Sequence, residues 1–339
     1  MLLRLALLCA LGIGMGGPLA LAGAPDLKFE RAGDRIFAFD TGVVKGRLRA
    51  NGKYQGISSF VDVETGKELT RSAGIFSYYR VLSIDRRWGH AARDWPMTGT
   101  LLPDGAIRID WPPQEDHPLE IKAVYRWRSP VILDLLTTVR PKVTMPGFEL
   151  FLSSYFGTPF KAYVYTKPAR PPEAKPEFIP VDVNPLVRDS YLAFPTNRRA
   201  ARMFFDDRWA PANGFVPWSV TRMLAAPIGM KRDPGSGITF LLMSRPEDCF
   251  AINMSYNMDP PDGVASHSSV YMSLFGKDLK AGEPAHAHVR LVVGRNLSDE
   301  RAVELYEEYI SEGVVTLATT VPSPATSRIV SPRLDICPE

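Results

Sequence analysis

Cysteine and histidine are scarce in this chain of 339 residues, with three cysteines and five histidines. No zinc-type Cys/His spacing occurs, so no metal is expected. No Ser-His-Asp spacing, nucleophile elbow or phosphate-binding P-loop is present either, which argues against esterases, kinases and dehydrogenases and leaves no cofactor to expect. Charge of one sign is also lacking: 40 Lys and Arg face 37 Asp and Glu, a net +3. A field that weak excludes nucleic acid as an expected partner. Beyond the N-terminus no apolar run is long enough to cross a bilayer, so no transmembrane segment is expected.

The N-terminus itself reads as an export signal. Arg4 is followed by an apolar run from Leu5 to Ile13, a Gly/Pro break, and small residues at Ala20 and Ala22. That order of charged, apolar and small segments predicts a cleavable leader over residues 1–22 and an exported protein, periplasmic or extracellular. The apolar run falls short of the roughly 18 residues a membrane span needs. Cleavage removes Cys9 and leaves Cys249 and Cys337. In an oxidising compartment these two either pair or remain as one buried thiol and one tail thiol.

Residues 23–314 read as one large antiparallel β-sandwich. Leu27 to Arg140 is a succession of short β-rich runs, and Leu119, Ile121, Ala123, Tyr125 and Trp127 alternate with the period of a half-buried strand. Asn51-Gly52 and Pro103-Asp104-Gly105 supply turns between such runs. Two long aromatic strands follow in GFELFLSSYFGTPFKAYVYT. A Pro-rich excursion over 167–190 cannot form a central strand and reads as a rim. Strands are expected to resume at ARMFF (201–205), GFVPWSVTRML, GITFLLM, CFAINMSY, SVYMSLF and AHVRLVVG. One helix is expected in SDERAVELYEEYISEG, with Ser298 as its cap and Ala302, Leu305, Tyr306, Tyr309 and Ile310 on one face. Residues 315–339 form an irregular Ser/Thr/Pro-rich tail.

Two segments concentrate chemistry. Ser77 to Trp95 mixes aromatic rings with guanidinium groups: Tyr79, Arg80, Arg86, Arg87, Trp88, His90, Arg93 and Trp95. Aromatic faces cover the C–H surface of a sugar ring while fixed polar groups read its hydroxyls or carboxylate, and four arginines suit an acidic sugar. An exposed loop of ordinary cation–π and Arg–Asp pairs is the competing reading. Here His90, Tyr79 and Arg93 are the candidates for catalysis, and Arg80, Arg86, Arg87, Trp88 and Trp95 for substrate binding. The second segment, MFFDDRWAPANGFVPW, adds Asp207 and Trp209 as binding candidates; its alternative is a turn closed by an Asp206–Arg208 salt bridge. Tyr155 joins them because it shares a strand face with Glu149, whose burial would raise its pKa. His286 and His288 alternate along one strand, too few ligands for a metal site.

The run AVYRWRSPVILDLLTTVRP followed by FELFLSSYFG resembles the galactose mutarotase-like sandwich. In aldose epimerases of that fold a strand ends in His-Ser-Tyr-Phe-Asn, and the histidine is a catalytic acid. Here the frame reads Ser153-Ser154-Tyr155-Phe156-Gly157. The resemblance implies a supersandwich from about Val43 to Leu297 and a carbohydrate ligand. A serine in place of the histidine argues against plain epimerase activity, because its hydroxyl is no proton donor at neutral pH. The expected function is that of an exported carbohydrate-active or carbohydrate-binding protein, as an enzyme of lyase or hydrolase type, with lyase-like action on an acidic poly- or oligosaccharide the leading case. Its alternatives are a noncatalytic sugar-binding protein and a scaffold domain.

Overall fold

A computed structural model describes residues 27–313, apart from positions 53, 72, 158–159, 170–173, 183–190 and 256–267. The expected leader, the tail and Cys337 lie outside the described residues. The chain opens with an antiparallel meander of β1 (Glu30–Gly33), β2 (Ile36–Asp40), β3 (Val44–Arg49) and β4 (Gly56–Asp62). It continues through β5 (Ser77–Ser83), β6 (Arg86–Arg87), β7 (Thr98–Leu101), β8 (Ile107–Trp111), β9 (Leu119–Ser129), β10 (Ile132–Pro141) and β11 (Met145–Tyr155). Next come β12 (Lys161–Thr166), β13 (Glu177–Pro180), β14 (Tyr191–Pro195), β15 (Trp218–Val220), β16 (Leu224–Arg232) and β17 (Ile238–Ser244). The last strands are β18 (Cys249–Met254), β19 (Ser269–Leu279) and β20 (Ala285–Arg295).

Two large sheets result, nine-stranded β13-β12-β16-β17-β20-β10-β9-β8-β7 and seven-stranded β15-β14-β18-β19-β11-β5-β6. Every pairing in them is antiparallel except β14 with β15. Alternation decides which side chains meet between the sheets. Leu150 and Leu152 of β11 join Tyr125, Leu135, Phe240 and Leu291 of the other sheet in one apolar core. Hydrogen bonds bridge the layers inside it: the Tyr78 hydroxyl lies 2.5 Å from Thr137 Oγ1, and the Tyr125 hydroxyl donates to the Phe76 carbonyl at 2.7 Å. The mainly β, antiparallel sandwich expected from the sequence is present.

The helix expected near the C-terminus is Asp299–Ser311, and a second, shorter one stands earlier in the chain. They are α1 (Arg198–Arg202) and α2 (Asp299–Ser311). Ser298 caps α2 by accepting from the Arg301 N–H at 3.2 Å, and Ala302, Tyr306 and Tyr309 pack on Ile228, Met230, Leu241 and Met243 on the outside of the nine-stranded sheet. Helix α1 corrects the strand expected over 201–205. The Asn197 side chain accepts from the Ala200 N–H at 3.0 Å and starts a helical turn, while β14 already has a strand on each side. The described part of the Pro-rich excursion contributes β13 at the sheet edge, opposite β12, where Pro180 interrupts nothing. Among the described residues no helix is long and apolar enough to cross a membrane.

Candidate functional site

On β11 the residues between the core-facing leucines, Glu149, Phe151, Ser153 and Tyr155, look outward from the seven-stranded sheet. Phe151 and Tyr155 belong to a second apolar cluster with Trp209 and Tyr271. The neighbouring strand β5 carries a bulge: Phe151 pairs with Arg80 and Leu152 with Tyr78, so Tyr79 is the extra residue. A bulge re-aims a side chain and is common beside binding sites. Here Tyr79 comes to lie beside Arg80, whose guanidinium sits 5.2 Å from the Tyr79 ring centroid and 4.8 Å from that of Trp209. Arg93, from the short helical turn Ala92–Asp94, lies over the same tyrosine at 4.6 Å.

Arg87 completes the group. Gly214, in the left-handed region at φ +80°, gives its carbonyl to Arg80 Nη1 at 2.6 Å, and a Cβ there would meet Arg87 Nη1 at 3.1 Å. Burial, and then the charge of Arg80, pulls the Arg87 pKa below its usual value. Arg80 Nε, Arg87 Nε, and Arg93 Nε and Nη1 are buried without a hydrogen-bond partner. Among the described residues none of these three arginines is paired with a carboxylate. Buried donors without partners mark a place where a ligand or water completes the bonding.

Trp209 is held over the sheet by its neighbour. Arg208 is fully buried and donates to Asp206 through Nε and Nη2, both at 2.8 Å, to Glu149 at 2.9 Å, and to the Gly147 carbonyl at 2.8 Å. Burial alone would lower the Arg208 pKa; Asp206 and Glu149 reverse that and keep the guanidinium charged. Burial lifts the Glu149 carboxyl above its usual range, against the pull of Arg208 and of a 2.6 Å hydrogen bond from Ser273. Aromatic rings fill the rest of the face. Phe151 stacks on Tyr271 at 4.8 Å and meets Trp209 edge-on at 5.0 Å, and Trp209 meets Trp218 edge-on at 5.2 Å.

Of the sequence candidates, Tyr79, Arg80, Arg87, Arg93, Tyr155 and Trp209 thus share one sheet face. The others are distributed elsewhere. His90 is exposed in the bend after β6. Arg86 lies over the Trp88 ring at 4.9 Å, Trp88 Nε1 donates to Ser83 Oγ at 3.0 Å, and both line a separate groove with Pro118 and Val143. Trp95 is stacked on His117 at 3.6 Å and belongs to the core. Asp207 lies beyond Trp209, at φ +65°, in a groove with Phe205 and Phe215. The turn with an Asp206–Arg208 salt bridge is formed, and the Asp207 carboxylate takes no part in that bridge.

Ser153, at the epimerase histidine's place in the motif, is fully buried and donates to the Ser77 carbonyl at 2.8 Å. His286 lies 3.0 Å from Thr138 Oγ1 and His288 3.4 Å from Asp134. Among the described residues no group of three His, Cys, Asp or Glu side chains is placed to hold a metal. Cys249 is fully buried, its thiol 3.2 Å from the Ala251 carbonyl, and burial pushes its pKa up. Sequence reasoning did not single out Gly214, Tyr271, Phe205 or Phe215. Only the last two left a trace, as aromatics in a loop rich in proline and glycine.

No protein-family model matches the sequence, and no curated protein does. Among solved structures the chain is similar to the galactose 1-epimerase of Lactobacillus acidophilus, with 8% identity, TM-score 0.41, and coverage of 79% of this chain and 97% of that one. It is similar also to the aldose epimerase homologue of C. elegans, with 10% identity, TM-score 0.42, and coverage of 74% and 96%. A third is the alpha-N-acetylgalactosaminidase of Bifidobacterium bifidum in its GalNAc complex, with 12% identity, TM-score 0.48, and coverage of 81% of this chain and 38% of that one. The likeness is to galactose mutarotase-like folds and concerns sheet architecture. Chemistry on the outer face of the seven-stranded sheet is read from its own residues.

Proposed function

We propose that this is an exported protein that binds an acidic oligo- or polysaccharide on the outer face of the seven-stranded sheet and cleaves it by β-elimination. The observation that carries the binding is the group of three arginines, Arg80, Arg87 and Arg93, around Tyr79, with buried donors that no described carboxylate satisfies. A uronate supplies what such a group lacks: a planar carboxylate for a guanidinium fork and a ring whose C–H face lies against an aromatic wall.

Elimination needs little more. A guanidinium on the carboxylate acidifies the adjacent carbon; a base takes that proton; the bond to the leaving oxygen breaks; and the oxygen leaves with a proton, generating a double bond beside the carboxylate. Tyr79, flanked by two guanidiniums, is the residue assigned to take the proton from carbon and pass it to the leaving oxygen. Export rests on the leader over residues 1–22, and sequencing the N-terminus of protein from the extracytoplasmic fraction tests it.

The test of function is a glycan array on the full chain followed by an ultraviolet assay for unsaturated uronate. Uronate-containing glycans are expected to bind, Arg80→Ala and Arg93→Ala to weaken binding at least tenfold, and Tyr79→Phe to abolish product while retaining binding. Failure to bind any acidic glycan overturns the reading. Binding with no unsaturated product identifies a sugar-binding protein and removes the lyase.

A further inference from the structure

Phe205 and Phe215 are 69% and 62% exposed, more than any other large apolar side chain among the described residues. Exposed apolar surface rimmed by polar groups marks an interaction site. The two phenylalanines stand on opposite arms of the segment that carries Trp209, and both line one open groove of about 490 Å³ with Pro211, Trp218 and Asp207. That volume lies within the ~300–1,000 Å³ of small-molecule sites.

Asp207 is fixed at the groove by its backbone. Its carbonyl accepts from Asn213 Nδ2 at 3.0 Å, and the same amide donates to the Asp85 carbonyl at 3.0 Å, tying the loop to the sheet. Among the described residues the Asp207 carboxylate has no hydrogen-bond or ion-pair partner. Trp209 and Trp218, which also line the groove, have buried indole N–H groups without an acceptor. Flat aromatic surface, a free carboxylate and indole donors together suit a pyranose, whose ring C–H groups face the rings and whose hydroxyls donate to the acid. The charge also discriminates: Asp207 repels a uronate, whereas the three arginines around Tyr79 attract one.

We infer that this groove is a second sugar subsite, for a neutral residue, and that the natural ligand is a mixed chain in which a neutral sugar adjoins an acidic one. The inference rests on the acidic-glycan reading of the Tyr79 site, to which it is joined through Trp209, whose ring both carries Arg80 and lines the groove.

Calorimetry with three probes tests it: a uronate homo-oligosaccharide, a neutral hexose oligosaccharide, and an oligosaccharide containing both units. Wild type is expected to bind the mixed chain about tenfold more tightly than the uronate chain. The double variant Phe205→Ala/Phe215→Ala is expected to lose that advantage while binding the uronate chain within twofold of wild type; Asp207→Asn is expected to lose part of it. Because these side chains are exposed, thermal unfolding checks that the fold is intact. A double variant that keeps the mixed-chain advantage, or a wild type that shows none, overturns the inference even if uronate binding stands. Neutral chains bound by wild type and lost by the double variant, with uronates unbound, uphold the groove and overturn the acidic site.

Discussion

Arg208 and Glu149, 59 residues apart in sequence, form a fully buried ion pair of 2.9 Å beneath the outer face of the seven-stranded sheet. The pair fixes the loop that carries Trp209, because Arg208 also grips Asp206 and the Gly147 carbonyl. Removing one member of a buried pair leaves an uncompensated charge and costs about 3–5 kcal/mol. Arg208→Ala is therefore expected to lower the unfolding free energy from urea titration by that amount and to weaken glycan binding through Trp209. Arg208→Met with Glu149→Leu, which removes both charges, is expected to recover most of the stability but not the binding. A single variant as stable as wild type would show that the pair does not anchor the loop.

Ser153 gives a second, opposite expectation. Its hydroxyl is spent on the Ser77 carbonyl at 2.8 Å, inside the sheet. Ser153→Ala is expected to cost about 1 kcal/mol of unfolding free energy and to leave sugar binding and turnover unchanged. A tenfold loss of turnover with normal stability would return Ser153 to the reacting groups.

The period of two carried much of the fold into the sequence. Leu150 and Leu152 face the core while Phe151 and Tyr155 face away, as alternation requires, and the same holds along Leu119 to Trp127. Periodicity is local, and its failures fall where the backbone departs from it. The bulge at Tyr79 and the tight turn at Asp85, with φ +55°, sort the aromatic and arginine segment onto different surfaces. Tyr79, Arg80, Arg87 and Arg93 then gather at the sheet face, while Trp88 and Trp95 pack against the core. Nothing in the spacing of residues announces such a division. Nor does sequence show that Arg208 spans to Glu149, since that contact depends on where a long loop lands. The ion-pair network at the end of α2 was equally invisible, because its members come from β10, β20 and the residue that closes the helix.

Acid is expected to loosen that network. Asp134 of β10 accepts from Arg290 of β20 at 2.7 and 2.9 Å, and the same guanidinium bonds Glu312 at 2.6 and 2.8 Å. Burial alone would raise the Asp134 pKa, but the hydrogen bonds from Arg290 and His288 hold it below the usual carboxylate range; Arg290 does the same for Glu312. A carboxylate with a depressed folded pKa stabilises above its unfolded value, about 4, and that contribution is lost as pH falls through the folded value. Wild type is thus expected to lose stability below about pH 4 more steeply than Asp134→Asn, which lacks the first group and is less stable at neutral pH. Parallel acid-unfolding curves would remove Asp134 from the network.

Base acts on a different residue, Lys231 of β16. Its side chain is buried, Nζ donates to Ser268 Oγ at 3.2 Å, and burial first, then the charge of Lys161, brings its pKa down to about 7. The unfolded chain holds this proton to about pH 10.4. Between roughly pH 7 and 10 the unfolded state therefore binds one more proton than the folded state, and folding stability rises with pH at up to ~1.4 kcal/mol per pH unit. Below pH 7 the folded protein carries the buried charge and the full penalty. Lys231→Met removes both the penalty and the slope. The difference in unfolding free energy between variant and wild type, measured by denaturant titration from pH 6.5 to 9, is expected to be largest at the acid end and to shrink steadily toward the alkaline end. Taking the difference cancels the tyrosines and other groups common to both proteins. A constant difference across that range would mean that Lys231 is solvated and charged in the folded state.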